Sequence, residues 1–269
     1  MDHKHLFLAA GLAVALAAPL AIAAPEAPEE AATETTQELP SAREIIAKYI
    51  EATGGEGAYR KLQSRVATGS FEVVEDEMKG QVRIYQQPPC LQLVEVEVPG
   101  VGTQSQGVTE EIAWEYSGFA GPRLREGAER EAAHHEALFT PYLDLDEHFK
   151  SVETEAIEEV DGEEAYRVRL TPKQGKPTTH WFSTKTGLEV KLAGTAVVQG
   201  EDVPFETTIS DYRDVDGMKV PFRQEQRLLG KRQVVVFDEV RHNVEFPPDR
   251  FDPPAAVKEL VEKKQTAAG

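Results

Sequence analysis

Cysteine is almost missing: Cys90 stands alone in 269 residues. A single thiol excludes a disulfide framework and any zinc site built on cysteines. It reads as a small buried hydrophobe in a strand, where a free cysteine usually sits. Basic side chains are scarce too. Against 47 Asp and Glu there are 29 Lys and Arg, giving a net charge of −18 and a pI near 4.9. No basic stripe is available to displace counterions from phosphates, which excludes nucleic acid as a partner. The same deficit argues against lasting adhesion to an anionic membrane surface. Motifs that carry chemistry are also missing. There is no G-x-S-x-G elbow, C-x-x-C pair, P-loop, dinucleotide fingerprint or H-E-x-x-H. His134 and His135 are adjacent, and neighbours on a helix point about 100° apart, so they do not converge on one ion. Asp144, Asp146 and Glu147 read as a solvated acidic face. The expectation is no catalysis, no metal and no cofactor.

Apolar material is plentiful, at 40% of residues. One long run, Leu6 to Ala24, carries no charge and ends in Ala21-Ile22-Ala23. That small-x-small pattern is what a signal peptidase admits, and the run reads as a signal peptide, residues 1–24, cleaved near Ala23/Ala24. No cysteine lies near that point, so no lipid anchor is expected there. The mature chain is expected in the periplasm. Residues 25–40 are acidic and proline-rich with almost no large apolar side chain, and read as a disordered leader.

From Ser41 the pattern becomes structural. Ser41 and Glu44 have capping-box spacing. Ile45, Ile46, Tyr49 and Ile50 follow on one helical face, and Gly54-Gly55 supplies the stop. A short second turn is expected over Gly57 to Leu62. After Arg65 the apolar period becomes two. Val82 and Ile84 alternate with polar neighbours, as do Tyr166, Val168 and Leu170, then Leu188, Val190 and Leu192, then Phe205, Thr207 and Ile209. One apolar and one charged face is the pattern of antiparallel strands. In Leu91 to Val98 the apolar phase slips by one residue, which predicts a β-bulge near Leu93. Asp161-Gly162, Lys185-Thr186-Gly187, Gln199-Gly200 and Asp216-Gly217 sit at hairpin spacing. About ten strands joined in a meander should curl strongly or close into a barrel. Leu124 to Phe149 reads instead as helix, with Ala128, Ala132, His135, Phe139 and Tyr142 as its stripe, crossing or covering the sheet. Trp114 and Trp181 read as core anchors. Val257, Leu260 and Val261 suggest a short final helix over 255–269.

The chain resembles the LolA/LolB-like lipoprotein-carrier superfamily, and within it the exported outer-membrane lipoprotein-sorting proteins. The resemblance is carried by Ile45 to Gly55 (IIAKYIEATGG), Leu62-x-Ser64, Gly69, Ile112-Ala113-Trp114 and Trp181 to Leu188 (WFSTKTGL). It continues through Tyr212-x3-Asp216-Gly217-x-Lys219-x-Pro221, Asn243 and Phe251-x-Pro253. It spans residues 41–254. It implies a mainly β, α+β domain: a curled antiparallel sheet, an unclosed β-barrel, with helical lids. It also implies a carrier of lipid or lipoprotein acyl chains between membranes, with envelope membrane proteins as further partners. The alternative within the same fold is an envelope sensor or scaffold with a protein partner and no lipid.

The physics of carriage is burial. An acyl chain gains about 0.8 kcal/mol per buried CH₂, so sixteen carbons gain on the order of 12 kcal/mol. The expected lids are the Ile45, Ile46, Tyr49 and Ile50 face and the region of Leu138, Phe139 and Tyr142. The expected cavity lining is Val82, Ile84, Leu91, Leu93, Val168 and Leu170. The competing expectation is that these side chains fill an ordinary core, as in many small barrels.

Overall fold

The structure, a computed structural model, describes residues 39–268. The expected signal peptide lies outside the described residues, as does nearly all of the expected leader. Thirteen strands form one antiparallel sheet. They are β1 (Arg65–Val73), β2 (Met78–Gln87), β3 (Leu91–Val98), β4 (Gly102–Val108), β5 (Ala113–Ser117), β6 (Gly121–Arg125), β7 (Phe149–Val160), β8 (Glu163–Pro172), β9 (Thr178–Ser183), β10 (Glu189–Val198), β11 (Glu201–Val215), β12 (Met218–Leu228) and β13 (Lys231–His242). The helices are α1 (Ala42–Ala52), α2 (Glu56–Tyr59), α3 (Gly127–Glu136), α4 (Leu145–His148) and α5 (Ala255–Ala268).

The sheet is two meanders zipped together. Strands β1 to β6 run outward in one direction, strands β7 to β13 return from the other edge, and β13 pairs with β1. The hairpins at Asp161-Gly162, Gln199-Gly200, Asp216-Gly217 and Leu229-Gly230 have positive φ at both central residues. That is the twist-matched turn for a two-residue connection.

The free edges are β6 and β7, and the chain must travel from one to the other. In a flat sheet β5 and β10 lie eight places apart in the strand order, about 38 Å at about 4.8 Å per strand. Helix α3 has ten residues, a length of about 15 Å. Yet α3 touches β5, β6 and β10. The sheet is therefore strongly curled and unclosed, with α3 laid across its concave side.

Helix α1 shares that concave side. Its capping box is formed: the Glu44 N–H donates to Ser41 Oγ, and the Ser41 N–H donates to Glu44 Oε2. Ile45 and Ile46 are buried against Phe149, Val168, Leu170 and Phe182. The other half of the concave face packs Phe71, Val82, Ile84, Val94, Val96 and Phe237 around Phe139.

Four local expectations are corrected. The register of β3 runs unbroken against both neighbours, so there is no bulge at Leu93. The phase slips because both faces of β3 are covered: Val94 and Val96 face the concave core, while Leu93 packs with Trp114 and Val257 of α5 on the convex side. The mid-chain helix is also shorter than its stripe. Gly121–Arg125 is strand β6, α3 ends at Glu136, and the Phe139 N–H donates to the Pro89 carbonyl instead of continuing the helix. Pro141, which has no N–H, prevents resumption. Glu189, expected on the charged face of β10, is turned inward by a register shift between Glu189 and Lys191. Finally, Cys90 lies between β2 and β3 rather than within a strand, half-buried against Val108 and Ala113.

The register also shifts between Thr68 and Gly69, where β1 crosses β13. A Cβ on Gly69 would lie 2.1 Å from the Val236 carbonyl oxygen, whereas one on Gly118 meets open space. Gly69→Ala should lower stability by about 2–4 kcal/mol and Gly118→Ala by less than about 0.5 kcal/mol, read from urea melts followed by circular dichroism.

Candidate functional site

Two covers meet over the concave face. One is α1 followed by α2. The other is the irregular stretch between α3 and α4. Between them and strands β1, β10, β11 and β12 a pocket remains, with a cavity volume of about 70 Å³ and one side open to solvent. Its apolar wall comes from Ile50, Phe139, Pro141, Leu143, Ile209, Met218, Val220 and Pro221. Its polar wall is Tyr49, Tyr59, Tyr142, Tyr212, Thr140, Arg65, Glu189, Gln224 and Lys219, the last paired with Asp214.

The tyrosines are wedged by ring contacts and hydrogen bonds. Tyr49 meets Tyr142 edge-on at 5.6 Å and Phe182 at 5.5 Å between ring centroids. The Tyr212 hydroxyl donates to the Glu189 carbonyl at 2.8 Å. The Tyr59 hydroxyl lies 2.8 Å from Thr53 Oγ1 at the end of α1. Burial first, then the nearby Glu189 carboxylate and neighbouring hydroxyls, pushes the Tyr49, Tyr142 and Tyr212 hydroxyls well above the ordinary phenol range. They are neutral hydrogen-bonding groups, not nucleophiles.

Behind them runs a buried chain. Glu189 Oε1 is 2.5 Å from His180 Nδ1, and His180 Nε2 is 2.8 Å from Thr178 Oγ1. The Tyr142 hydroxyl lies 3.2 Å from the same Nδ1. The one acidic wall residue is thus already partnered. Arg65 is not. Its Nε is buried with no hydrogen-bond partner, and its guanidinium only overlies the Phe139 ring at 5.3 Å. Among the described residues, no cluster of His, Cys, Asp and Glu is able to hold a metal ion.

The covers are fastened to the sheet at defined joints. The Lys219 N–H donates to the Thr53 carbonyl at 3.1 Å, and a Cβ on Gly54 would stand 3.0 Å from the Gly217 oxygen. The Gln63 N–H donates to Asn243 Oδ1 at 2.8 Å, and Ser64 Oγ donates to the Val244 carbonyl at 2.7 Å. Motifs far apart in sequence, Gly54-Gly55 with Asp216-Gly217-x-Lys219 and Leu62-x-Ser64 with Asn243, therefore meet in space.

No family model matches the chain, and no curated protein matches it in sequence. Solved structures do match in shape. A LolA superfamily protein from Nitrosomonas europaea superposes with a TM-score of 0.56 at 13% identity, over 80% of this chain and 99% of that one. A domain assigned to an outer-membrane lipoprotein-sorting protein of Vibrio parahaemolyticus gives a TM-score of 0.55 at 12% identity, over 82% and 97%. A DUF1329 family protein from Desulfovibrio piger gives 0.56 at 16%, over 80% and 98%. The chain has the LolA-superfamily fold.

On this LolA-like frame the sequence-derived residues separate into groups. Tyr49, Ile50, Phe139 and Tyr142 line the pocket. Ile45, Ile46, Val168 and Leu170 lie beneath α1, and Val82 and Ile84 lie beneath Phe139, all on the concave face but packed against protein. Leu138 is half-buried beside them. Leu93 is on the convex side, and Leu91, two residues earlier on the same unbroken strand, shares that face. Arg65, Tyr59, Glu189 and Gln224 are not singled out by sequence, and Tyr212 enters only as part of the family resemblance. An arginine or glutamate in an alternating strand reads as outward, and only the register shift at Glu189 reverses that reading.

A second hollow lies between α3 and strands β5, β6 and β10. Arg123 and Arg125 pair there with Glu115 and Glu129, and Glu129 Oε1 also accepts the Gly200 N–H. Glu136 faces the same hollow. Burial raises its carboxyl to about 7, against the opposing pull of Arg125. A folded pKa above the unfolded value stabilises below pH 4.5, and that contribution is lost as pH rises through about 7. Glu136→Gln should therefore gain on the native protein between pH 5 and 8 by about 1–2 kcal/mol, since the side chain keeps some exposure. Thermal melts at stepped pH check this; parallel curves would contradict it.

Proposed function

We propose that this protein is a soluble, non-enzymatic periplasmic carrier that holds acyl chains of lipids or lipoproteins under its helical covers and passes them between membranes. The observation that carries the reading is the pocket between α1, the α3–α4 link and the concave sheet, with a continuous apolar wall from Ile50, Phe139, Leu143, Ile209, Met218 and Val220. Support also comes from the fold, shared with a LolA superfamily protein and a lipoprotein-sorting domain. No helix among the described residues is long and apolar enough to cross a membrane. The acidic surface keeps the carrier off anionic headgroups between encounters, so transfer needs a docking partner in the envelope.

The covers lie close on the sheet: Val82 is 0% exposed, Ile84 1% and Leu170 0%. A full acyl chain therefore requires α1 and the Phe139 segment to lift, extending the pocket along the concave face. The joints at Thr53/Lys219 and Ser64/Val244 act as hinges for that movement.

Leu143 lies on the pocket wall outside any regular element and is only half-buried. Leu143→Trp should block the space while leaving the melting temperature nearly unchanged. Binding of a fluorescent fatty-acid probe should fall about tenfold or more, the loss expected when apolar space is denied. If neither protein binds the probe, the envelope scaffold reading replaces this one.

A further inference from the structure

Among the described residues Arg65 and Arg250 each have a buried Nε without a hydrogen-bond partner, and of the two Arg65 lines the pocket. Acidic side chains outnumber basic ones by 47 to 29. Surface cations such as Arg60, Arg83 and Arg241 have found carboxylates. Arg65 lines the pocket, its Nε has no exposed surface, and it makes neither a side-chain hydrogen bond nor an ion pair within the described chain. Its contact with the Phe139 face offsets only part of the cost of taking a guanidinium out of water.

The surroundings of Arg65 sharpen the point. Directly across the ladder stands His242, whose ring nitrogens are both buried without a hydrogen-bond partner. The nearest carboxylate oxygen, on Asp216, is 3.6 Å from His242 Nδ1, too far for a hydrogen bond. Burial and the Arg65 charge hold that imidazole down to about 4, so it is neutral. The hydroxyls of Tyr59 and Tyr49 lie within the field of Arg65. The one wall carboxylate, Glu189, is bound to His180. Arg65 and the Tyr49 and Tyr59 hydroxyls line one part of the pocket as a half-built oxyanion seat, with neutral His242 behind Arg65 and the Glu189 carboxylate held by His180.

Building on the carrier reading above, we infer that the pocket selects amphiphiles with a single oxyanion head, a carboxylate or phosphate, which Arg65 holds while the hydrocarbon tail follows the wall from Phe139 toward Ile209. A neutral glyceryl ester of the same chain makes no charge-assisted hydrogen bond at that seat.

Calorimetric titration of the full chain tests this with laurate, dodecyl phosphate, neutral monolaurin and inorganic phosphate. Laurate or dodecyl phosphate should bind about ten- to a hundredfold tighter than monolaurin; the tighter of the two identifies the head. Inorganic phosphate alone should bind far more weakly than either. Arg65→Met should bring the preferred anion to within about threefold of monolaurin, and Arg65→Lys should restore part of the gap. Equal binding of laurate, dodecyl phosphate and monolaurin by the native protein overturns the oxyanion seat and leaves the carrier reading intact. No binding of any of the three overturns both. Inorganic phosphate binding as tightly as dodecyl phosphate overturns the role of the tail. Because the native protein alone decides among these outcomes, a folding defect in Arg65→Met does not rescue the inference.

Discussion

The constraint on which everything else rests is the reach of one connection. The chain leaves the sheet at β6, re-enters at the opposite edge, β7, and does so through residues 126–148. A connection containing a helix of about 15 Å brings the two halves of the sheet together only if the sheet bends around it. Glu129 holds both sides at once, accepting from Arg123 of β6 and from the Gly200 N–H of the β10–β11 turn. The curl creates a concave face, the concave face needs covering, and the covers leave a gap with mixed apolar and phenolic walls. Remove the curl and α1 has no hollow to lie in.

The energetics of that gap are those of a reluctant core. On either side of it the concave face is filled by buried apolar side chains, with Trp114 closing the convex side beneath α5. At the gap itself, side chains are held by hydrogen bonds and edge-on rings instead of by interdigitated aliphatics. Such contacts separate at lower cost than a packed aliphatic layer, because exposed hydroxyls regain water as they part.

Much of the fold is legible in the sequence because local rules agree there. The Ser41/Glu44 box, the Ile45–Ile50 face and the Gly-containing hairpins each state their own geometry. The alternation of Val82/Ile84 and Val168/Leu170 gives the inner face correctly. Reading fails where a residue's role is set from outside its own segment. Leu91 and Leu93 are assigned to the wrong face because nothing in β3 announces that α5 covers its convex side. Of the stripe from Ala128 to Tyr142, His135 and Phe139 are buried but Ala128 is exposed, because α3 buries Glu129 and Ala133 instead and the chain leaves the helix after Glu136, where the Phe139 N–H donates to Pro89. The candidate site is legible only in part. Tyr49, Ile50, Phe139 and Tyr142 are found from apolar periodicity. Arg65 and Glu189 are charged, and periodicity consigns charged residues to water. Glu189 is turned inward by a register shift and held by His180, a partner on a neighbouring strand, and neither is encoded locally.

Native mass spectrometry of the protein, purified without detergent from an expressing cell's envelope fraction, tests the central claim most directly. The account predicts a population heavier than the polypeptide by the mass of an acyl-bearing molecule, released at low collision energy. Detection of the bare polypeptide alone, from a preparation whose circular dichroism shows the intact sheet, would contradict it.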